Sequence, residues 1–247
     1  MVVEYDGSRY HGFQWQANLP TVQAELERAI LKVTGESRRL IAASRTDAGV
    51  HAKGQVVSFR TESVLPPQTF TRALNHYLPE DIAIKAACGV SADFNVRRDA
   101  SSREYDYFIL NSRTRSPLAR RFACLVAGEL NTEVMNEACQ FLEGEHDFAS
   151  FATSLGKQRN TVRNVYQAKV TKEENLVTFR MVANSFLTHQ VRNTVGLLVR
   201  VGLGKVRPEE FPQIMEAKTL GLAGPAAPAQ GLCLARVNYP GNVELAA

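Results

Sequence analysis

Hydrophobic positions divide the first hundred residues into a regular series of strands and helices. Apolar residues recur every three or four positions on one face of a predicted helix at 21–34, and a second helix is predicted to begin after Pro66-Pro67. Alternating or short continuous apolar runs predict strands at about 1–5, 38–43, 54–61 and 81–90. The predicted order is β-α-β-β-α-β.

The second half of the chain repeats this order. Strands are predicted at about 102–110, 162–171, 175–183 and 231–239, and helices at about 132–142 and 186–202, with a shorter one after Pro208. The β-α-β-β-α-β order is that of a ferredoxin-like (RRM-like) unit, in which two helices cover one face of a four-stranded antiparallel sheet. The sequence therefore predicts an α+β protein with two ferredoxin-like halves, residues 1–100 and 101–247.

One predicted helix, FLTHQVRNTVGLLVRVGLG, is apolar on nearly all sides and is expected to be buried. Arg192 lies inside it, and arginine is almost never buried without a partner. Breaking a buried ion pair costs about 3–5 kcal/mol. A carboxylate from elsewhere in the chain is therefore expected to pair with Arg192.

Composition narrows the class of protein. The chain is 45% hydrophobic and 22% charged, which is typical of a globular enzyme. It contains neither a run of about 20 apolar residues nor a secretory signal at its start, so a cytoplasmic protein without membrane contact is expected. The four cysteines lack metal-ligand spacing and no cofactor-binding motif is present, so neither metal nor cofactor is expected.

Arginines are concentrated in one stretch. The net charge is +4, and seven arginines against three acids lie between Arg97 and Arg121, followed by Lys157, Arg159 and Arg163. Arginine suits bidentate contacts with phosphate and stacking on bases. This pattern fits either a solvated surface or a nucleic-acid interface.

Two short segments contain candidate chemistry. In SRTDAGVHAKGQVVSF, Asp47 is either a turn former or a carboxylate nucleophile, with Arg45 and His51 as neighbours. In the strand REYDY, Tyr105 and Tyr107 share one face with Arg103 and either stack on a base or are half-buried strand residues.

Long motifs resemble one known family. The segments VEYDGSRYHGFQWQ, SRTDAGVHAKGQVVSF, DFNVRRDASSREYDYFI, GEHDFASF, NSFLTHQVRN and APAQGLCLARVNYP are similar, nearly end to end, to the TruA-type tRNA pseudouridine synthases. The resemblance implies that the antiparallel sheets of the two halves are joined around a central basic cleft. It also implies a homodimer that isomerises uridine in the anticodon stem-loop of tRNA, at tRNA positions 38, 39 and 40.

The resemblance assigns roles residue by residue. Asp47 matches the catalytic aspartate, Tyr105 the tyrosine that packs on the target uracil, and Arg192 the arginine paired with the aspartate. Arg45 matches the residue that helps to hold the nucleotide out of its stack. Arg97 and Arg103, which belong to the arginine-rich stretch, are also expected to bind the substrate. Whether Asp47 attacks the sugar C1′ or uracil C6, or promotes a glycal-type intermediate, stays open.

The chain departs from the family pattern in two places. Ser44 stands where glycine usually precedes RTD, and Phe13 occupies the place of the usual tryptophan, with Trp15 two residues later.

Two other functions fit part of the pattern. A non-catalytic RNA-binding module would not need Asp47, and a glycosidase would need a second opposing carboxylate.

Overall fold

The computed structural model describes residues 1–155 and 160–241, and Cα packing divides the chain into two compact units. Unit 1 comprises Met1–Arg103 with Cys233–Ala247, and unit 2 comprises Glu104–Leu232. The sequence-based division placed all of 101–247 in a second half. In the structure all of the last strand except its first residue groups with unit 1, where it pairs with the strand His51–Ser58.

Unit 1 contains the six elements predicted for the first half of the chain. Their bounds are β1 Val2–Tyr5, α1 Val22–Thr34, β2 Ile41–Ala42, β3 His51–Ser58, α2 Pro67–Tyr77 and β4 Ile82–Ala86. The closing strand of the chain, β10, is Leu232–Asn238. The side chain of Thr21 caps the start of α1, and proline occupies the first position of α2, as the helix-start signals indicate.

The sheet of unit 1 has β1 at its centre. This strand is antiparallel to both β3 and β4, with Tyr5 opposite Ala52 on one side and Ile82 on the other. Strand β2 pairs with the end of β3, and β10 runs parallel to its beginning. Helices α1 and α2 contact each other, and α2 also contacts β4. Strand β3, which begins at His51 after the turn that contains Asp47, therefore pairs with three other strands: β1, β2 and β10.

Strand β2 is shorter than the predicted strand 38–43. The amide of Leu40 donates to Glu27 Oε1 at 3.0 Å, and its carbonyl accepts from Gln23 Nε2 at 3.3 Å. Both partners are side chains of α1. Because these bonds satisfy the main chain of Leu40, β2 begins only at Ile41, and Ile41 and Ala42 pair with Ser58 and Val57 of β3.

Unit 2 contains more elements than predicted. Their bounds are β5 Ser102–Asn111, β6 Cys124–Val126, α3 Thr132–Gln140, β7 Gly144–Asp147, β8 Val162–Glu173, β9 Leu176–Ala183, α4 Gln190–Gly202 and α5 Glu210–Glu216. The first two residues of β5 belong to unit 1. The sequence did not indicate β6 or β7.

The sheet of unit 2 follows the order β5-β9-β8-β7, and β6 pairs parallel with β5. Strand β7 is antiparallel to β8, although its residues, GEHD, are depleted in strands; its pairing with β8 overrides that preference. Helix α3 contacts both β8 and α4. The predicted α+β class, with mostly antiparallel sheets, is confirmed.

Every helix in residues 1–155 and 160–241 is too short or too polar to span a lipid bilayer.

Helix α4 carries Arg192 and is largely buried, as predicted, but it begins at Gln190 and not at 186. His189, immediately before it, adopts a left-handed conformation with φ of 63°. The side-chain oxygen of Gln190 accepts the amide of Leu187 at 2.8 Å. The residues before the helix therefore form a turn, and Arg192 lies in the first helical turn.

A segment of main chain, residues 223–227, runs antiparallel along α4. Arg192 and Ala227 exchange two hydrogen bonds, Arg192 Nε to Ala227 O at 2.7 Å and Ala227 N to Arg192 O at 2.9 Å. One turn later Gly196 lies against the carbonyl of Pro225, and one turn further Arg200 Nη2 donates to Ala223 O at 2.8 Å. Three residues at four-residue spacing therefore hold this segment and fix the helix that carries Arg192.

The close approach at Gly196 gives a stability prediction. A Cβ atom there would overlap the carbonyl oxygen of Pro225, which is main chain and cannot rotate away. We expect Gly196→Ala to lower the free energy of unfolding by about 2 kcal/mol, because overpacking costs about 1–3 kcal/mol and outweighs the gain of up to about 1 kcal/mol in helix propensity. Chemical denaturation measures the change. Gly89→Ala, where a Cβ atom meets open space, is the control; equal stability of both variants would contradict the prediction.

Candidate active site

Asp47 begins a tight turn that leads into β3. Its carbonyl oxygen accepts the amide of Val50 at 3.1 Å, and Gly49 has φ of 78°. A positive φ at the third residue of the turn defines type II and favours glycine. The bond that closes this turn uses the main-chain oxygen of Asp47 and not its carboxylate. Asp47 is therefore a turn former whose half-buried side chain can also act as a reagent.

The N-terminal segment holds the Asp47 turn on one side. The amide of Phe13 donates to Thr46 O at 3.0 Å, and the amide of Gly49 donates to Tyr10 O at 3.2 Å. The hydroxyls of Tyr5 and Thr46 lie 2.7 Å apart in a buried hydrogen bond. The residues on both sides of Asp47 are therefore bonded to the segment that follows β1.

Tyr10 is itself anchored in unit 1. Its hydroxyl donates to Asp81 Oδ1 at 2.5 Å, and Arg9 Nη1 lies 3.3 Å from Asp81 Oδ2. Burial, and after it the hydrogen bond to Asp81, raise the pKa of Tyr10 above its usual value. Tyr10 therefore stays a neutral donor at physiological pH and serves as an anchor.

Gln55 holds the Asp47 turn on the other side. Its side chain is fully buried; Nε2 donates to Ser44 O at 2.8 Å, and Oε1 accepts from the amides of Ser44 at 3.3 Å and Val56 at 3.1 Å. Ser44 is absent from the described residues with positive φ, so this position does not require glycine. The departure from the family pattern at Ser44 therefore leaves the turn undisturbed.

The histidine of this motif, His51, is buried on β3. Its Nδ1 accepts the amide of Gly7 at 3.1 Å and lies 3.2 Å from Asp6 Oδ1. Gly7 and Asp6 belong to the same N-terminal segment that holds the Asp47 turn. His51 therefore links that segment to β3.

The predicted substrate arginines differ in exposure. Arg45 and Arg97 are exposed, whereas Arg103 is 7% exposed. The guanidinium of Arg103 donates to three main-chain carbonyl oxygens: those of Arg97 at 2.6 Å, Ala43 at 3.2 Å and Ala100 at 3.2 Å. Arg163 is also buried, and burial lowers its pKa. Lys157 and Arg159 lie outside the described residues.

Tyr105 and Tyr107 are both buried. The structural alternative to base stacking had predicted half-buried strand residues. Tyr105 is 5% exposed and contacts Phe186 edge to face, with ring centroids 5.0 Å apart. Tyr107 donates to Pro228 O at 2.7 Å, and burial raises its pKa above the usual value. The hydroxyl of Tyr107 is therefore held by main chain.

The candidate residues are divided between the two units. Unit 1 contains Asp47, Arg45, Arg97 and Arg103, and unit 2 contains Tyr105 and Arg192. The guanidinium of half-buried Arg192 donates to the main-chain oxygen of Ala227 in its own unit. The sequence had predicted a carboxylate as its partner, and a carbonyl oxygen provides part of that hydrogen bonding. Pairing of Arg192 with Asp47 stays a prediction. In residues 1–155 and 160–241, no group of three or more potential ligands is placed to hold a metal ion.

Comparison with known proteins decides the family. The family model for tRNA pseudouridine synthase matches residues 1–99 and 138–240. The chain belongs to the tRNA pseudouridine synthase family. It is 44% identical to tRNA pseudouridine synthase A of Acetivibrio thermocellus over 97% of this chain and 98% of that protein. It is 40% identical to the same enzyme of Shewanella sediminis over 98% and 93% of the two chains.

Solved structures add little. A chain in the crystal structure of a Cbf5-Nop10-Gar1 complex is 15% identical to this chain, with a TM-score of 0.37. The match covers 81% of this chain and 45% of that one. The relatives place this pseudouridine synthase among the isomerases.

Sequence reasoning missed the residues that hold the Asp47 turn in this pseudouridine synthase. Gln55, Thr46 and Tyr5 lie in or beside the motifs, but nothing in their spacing showed which backbone groups they bond. One available signal was Gln55, which by the alternation of a strand shares a face of β3 with Val57, and a buried polar residue needs a partner. Phe186, the ring beside Tyr105, gave no such signal.

Removal of the Gln55 amide tests its role. Gln55→Leu removes three hydrogen bonds, those to the amide and the carbonyl of Ser44 and that to the amide of Val56, and a buried polar group that loses its bond costs about 1–3 kcal/mol. Because Ser44 is only half-buried, we expect a loss of about 2 kcal/mol in the free energy of unfolding, measured by denaturant titration. Gln167→Leu, an exposed position on β8, should change it by less than about 0.5 kcal/mol. A Gln55→Leu variant as stable as wild type would contradict this account.

Proposed function

We propose that this chain is a tRNA pseudouridine synthase of the A type, which isomerises uridine to pseudouridine in the anticodon stem-loop at tRNA positions 38, 39 and 40. The observation that carries the proposal is the RTDAG aspartate, held on a turn whose main chain is bonded on both sides. It occurs in a chain similar over 97% of its length to synthases of this type. A rigid turn is where a reacting carboxylate is most useful, because misplacement by about 1 Å can cost 10²-fold in rate.

The reaction is an isomerisation that conserves mass. The bond between ribose C1′ and uracil N1 breaks, a bond between C1′ and C5 forms, and the proton on C5 leaves while N1 gains one. The base must first leave its stack, at a cost of a few kcal/mol. Asp47 acts as the nucleophile, at C1′ or at C6, or takes a ribose proton on a glycal route; all three need an ionised carboxylate.

The other residues assist Asp47. Arg192 pairs with the carboxylate and keeps it ionised; the segment 223–227 supports this role by fixing the first turn of α4. Tyr105 packs against the uracil while it rotates, and contact with Phe186 supports this role by orienting its ring. Exposed Arg45 helps to hold the extruded nucleotide.

Architecture and assembly complete the proposal. Each unit is a ferredoxin-like half, their sheets join around a central basic cleft, and the enzyme acts as a cytoplasmic homodimer. The element order of unit 1, β-α-β-β-α-β, supports the first half, and the resemblance to the A-type enzymes supports the rest. No metal or cofactor enters this chemistry, because a carboxylate nucleophile needs neither.

Replacement of the carboxylate tests the nucleophile. Asp47→Asn should lower the rate of pseudouridine formation by about 10⁴-fold or more, because loss of a nucleophile removes most of the chemical step. Binding of tRNA should persist, since the amide has nearly the same shape. Tritium release from labelled undermodified tRNA measures the rate, and gel shift measures binding.

Asp93→Asn, at an exposed loop position, is the matched control and should retain wild-type turnover. Turnover by a verified Asp47→Asn preparation would remove the nucleophile. A wild-type protein that binds tRNA without turnover would favour the RNA-binding module instead.

A loop rich in arginine supports contact with the tRNA backbone. Residues 112–123, between β5 and β6, contain four exposed arginines and no acid, listed in order as Arg113, Arg115, Arg120 and Arg121. Arg121 lies 6.0 Å from the centre of the half-exposed Phe122 ring. This loop falls between the two segments that the family model matches. We assign it to phosphate contacts.

Salt dependence tests that assignment. The affinity for tRNA should fall steeply between about 50 and 200 mM salt, and Arg115→Gln with Arg120→Gln should reduce the slope of log K against log salt by about 1.4–1.8 if both contact phosphate. Fluorescence anisotropy with labelled tRNA measures the slope. The control is Arg28→Gln with Arg207→Gln, which removes two exposed charges that each pair with an acid three residues away. Equal slopes for the two double variants would contradict the assignment.

A further inference from the structure

Arg103 is placed differently from the other arginines of its stretch. It lies on β5 two residues before Tyr105, and it is 7% exposed. Nη2 donates to Arg97 O at 2.6 Å and to Ala43 O at 3.2 Å, and Nη1 donates to Ala100 O at 3.2 Å. Its guanidinium is therefore engaged with main-chain carbonyl oxygens.

These bonds leave little of Arg103 for a phosphate. An arginine gains affinity for RNA by releasing counterions from the phosphates that it neutralises, which requires an accessible guanidinium. Arg97 meets this condition, because it is exposed. The bond to Arg103 uses only its main-chain oxygen and leaves its guanidinium available. The two arginines assigned together to substrate binding therefore differ in the property that binding needs.

The bond from Arg103 to Ala43 reaches the chain that leads into the Asp47 turn. Ala43 precedes Ser44, whose main chain is held by Gln55, and Asp47 follows three residues later. The amide of Ala43 also donates to Val56 O at 2.9 Å, so both of its polar groups are bonded. Without Arg103, the carbonyl of Ala43 loses a charged donor at the entrance to the turn.

We infer that Arg103 is a positioning residue for the Asp47 turn and not a phosphate contact. It ties three stretches of unit 1, around residues 43, 97 and 100, to the start of the strand that continues into Tyr105. Arginine suits this role because its planar fork presents separate donors to acceptors in different directions, whereas the ammonium of lysine is a single point of charge. The kinetic part of this inference rests on the proposed function.

Hydrogen exchange in the free protein tests the inference without any assay of activity. In Arg103→Lys, which keeps the charge, amides within residues 43–50 should exchange about tenfold faster than in wild type, because the entrance to the turn opens more often. Amides of β8 and β9 should keep their wild-type protection. Arg97→Lys is the matched control and should leave residues 43–50 as in wild type. If Arg103→Lys does not fold, Arg103→Gln replaces it, since its amide can still reach one of the carbonyl oxygens.

Single-turnover kinetics and salt dependence supply the second test. With saturating tRNA, Arg103→Lys should slow pseudouridine formation by about 10- to 100-fold, while its affinity for tRNA stays within about threefold of wild type. The slope of log K against log salt should be unchanged in Arg103→Gln but reduced by about 0.7–0.9 in Arg97→Gln, which loses one phosphate contact. A role in stability alone would not slow the folded, saturated enzyme.

Two results would overturn the inference. One is wild-type exchange in residues 43–50 of a folded Arg103 variant. The other is a salt slope for Arg103→Gln reduced as in Arg97→Gln, which would make Arg103 a phosphate contact. If the wild-type protein forms no pseudouridine, the proposed function fails, and the exchange experiment still decides the role of Arg103.

Discussion

The position of the Asp47 carboxylate depends on hydrogen bonds to the main chain on either side of it. The main chain of Ala43 is bonded by Val56 and Arg103, that of Ser44 by Gln55, that of Thr46 by Phe13, and that of Gly49 by Tyr10. The side-chain hydroxyl of Thr46 also bonds that of Tyr5. Ordering a loop costs conformational entropy of about 1–2 kcal/mol per residue. These bonds offset that cost, so the carboxylate is held before any substrate arrives, which is the condition for catalysis by orientation.

Helix α4 follows the same principle with different means. One face of this helix is covered by main chain, because residues 223–227 lie along positions 192, 196 and 200. Two arginines and one glycine at four-residue spacing serve a single contact, because arginine can donate to a carbonyl and glycine leaves room for one. Arg192 is thereby oriented by its own unit, independently of any carboxylate that it meets.

The arginines of this chain have at least two uses that charge alone does not separate. Those of the loop 112–123 are exposed, and the loop itself contains no acid, which suits phosphate. Arg103 and Arg163 are buried and bond main-chain carbonyl oxygens, which stabilises loops and strand ends. The net charge of +4 therefore does not show how many arginines face an acidic partner. Burial decides which use applies.

The sequence by itself determined the class of fold, the family, and the motifs that contain Asp47, Tyr105 and Arg192, because periodic apolar positions and long motifs are local properties of the chain. It misjudged 38–43 as a full strand and gave no sign of β7, because the first is bonded by side chains of α1 and the second forms only against β8. Only the tertiary structure decided that Gln55 and Arg103 hold the Asp47 turn and that β10 groups with unit 1. Those facts depend on contacts between residues far apart in sequence, and no local pattern specifies such partners.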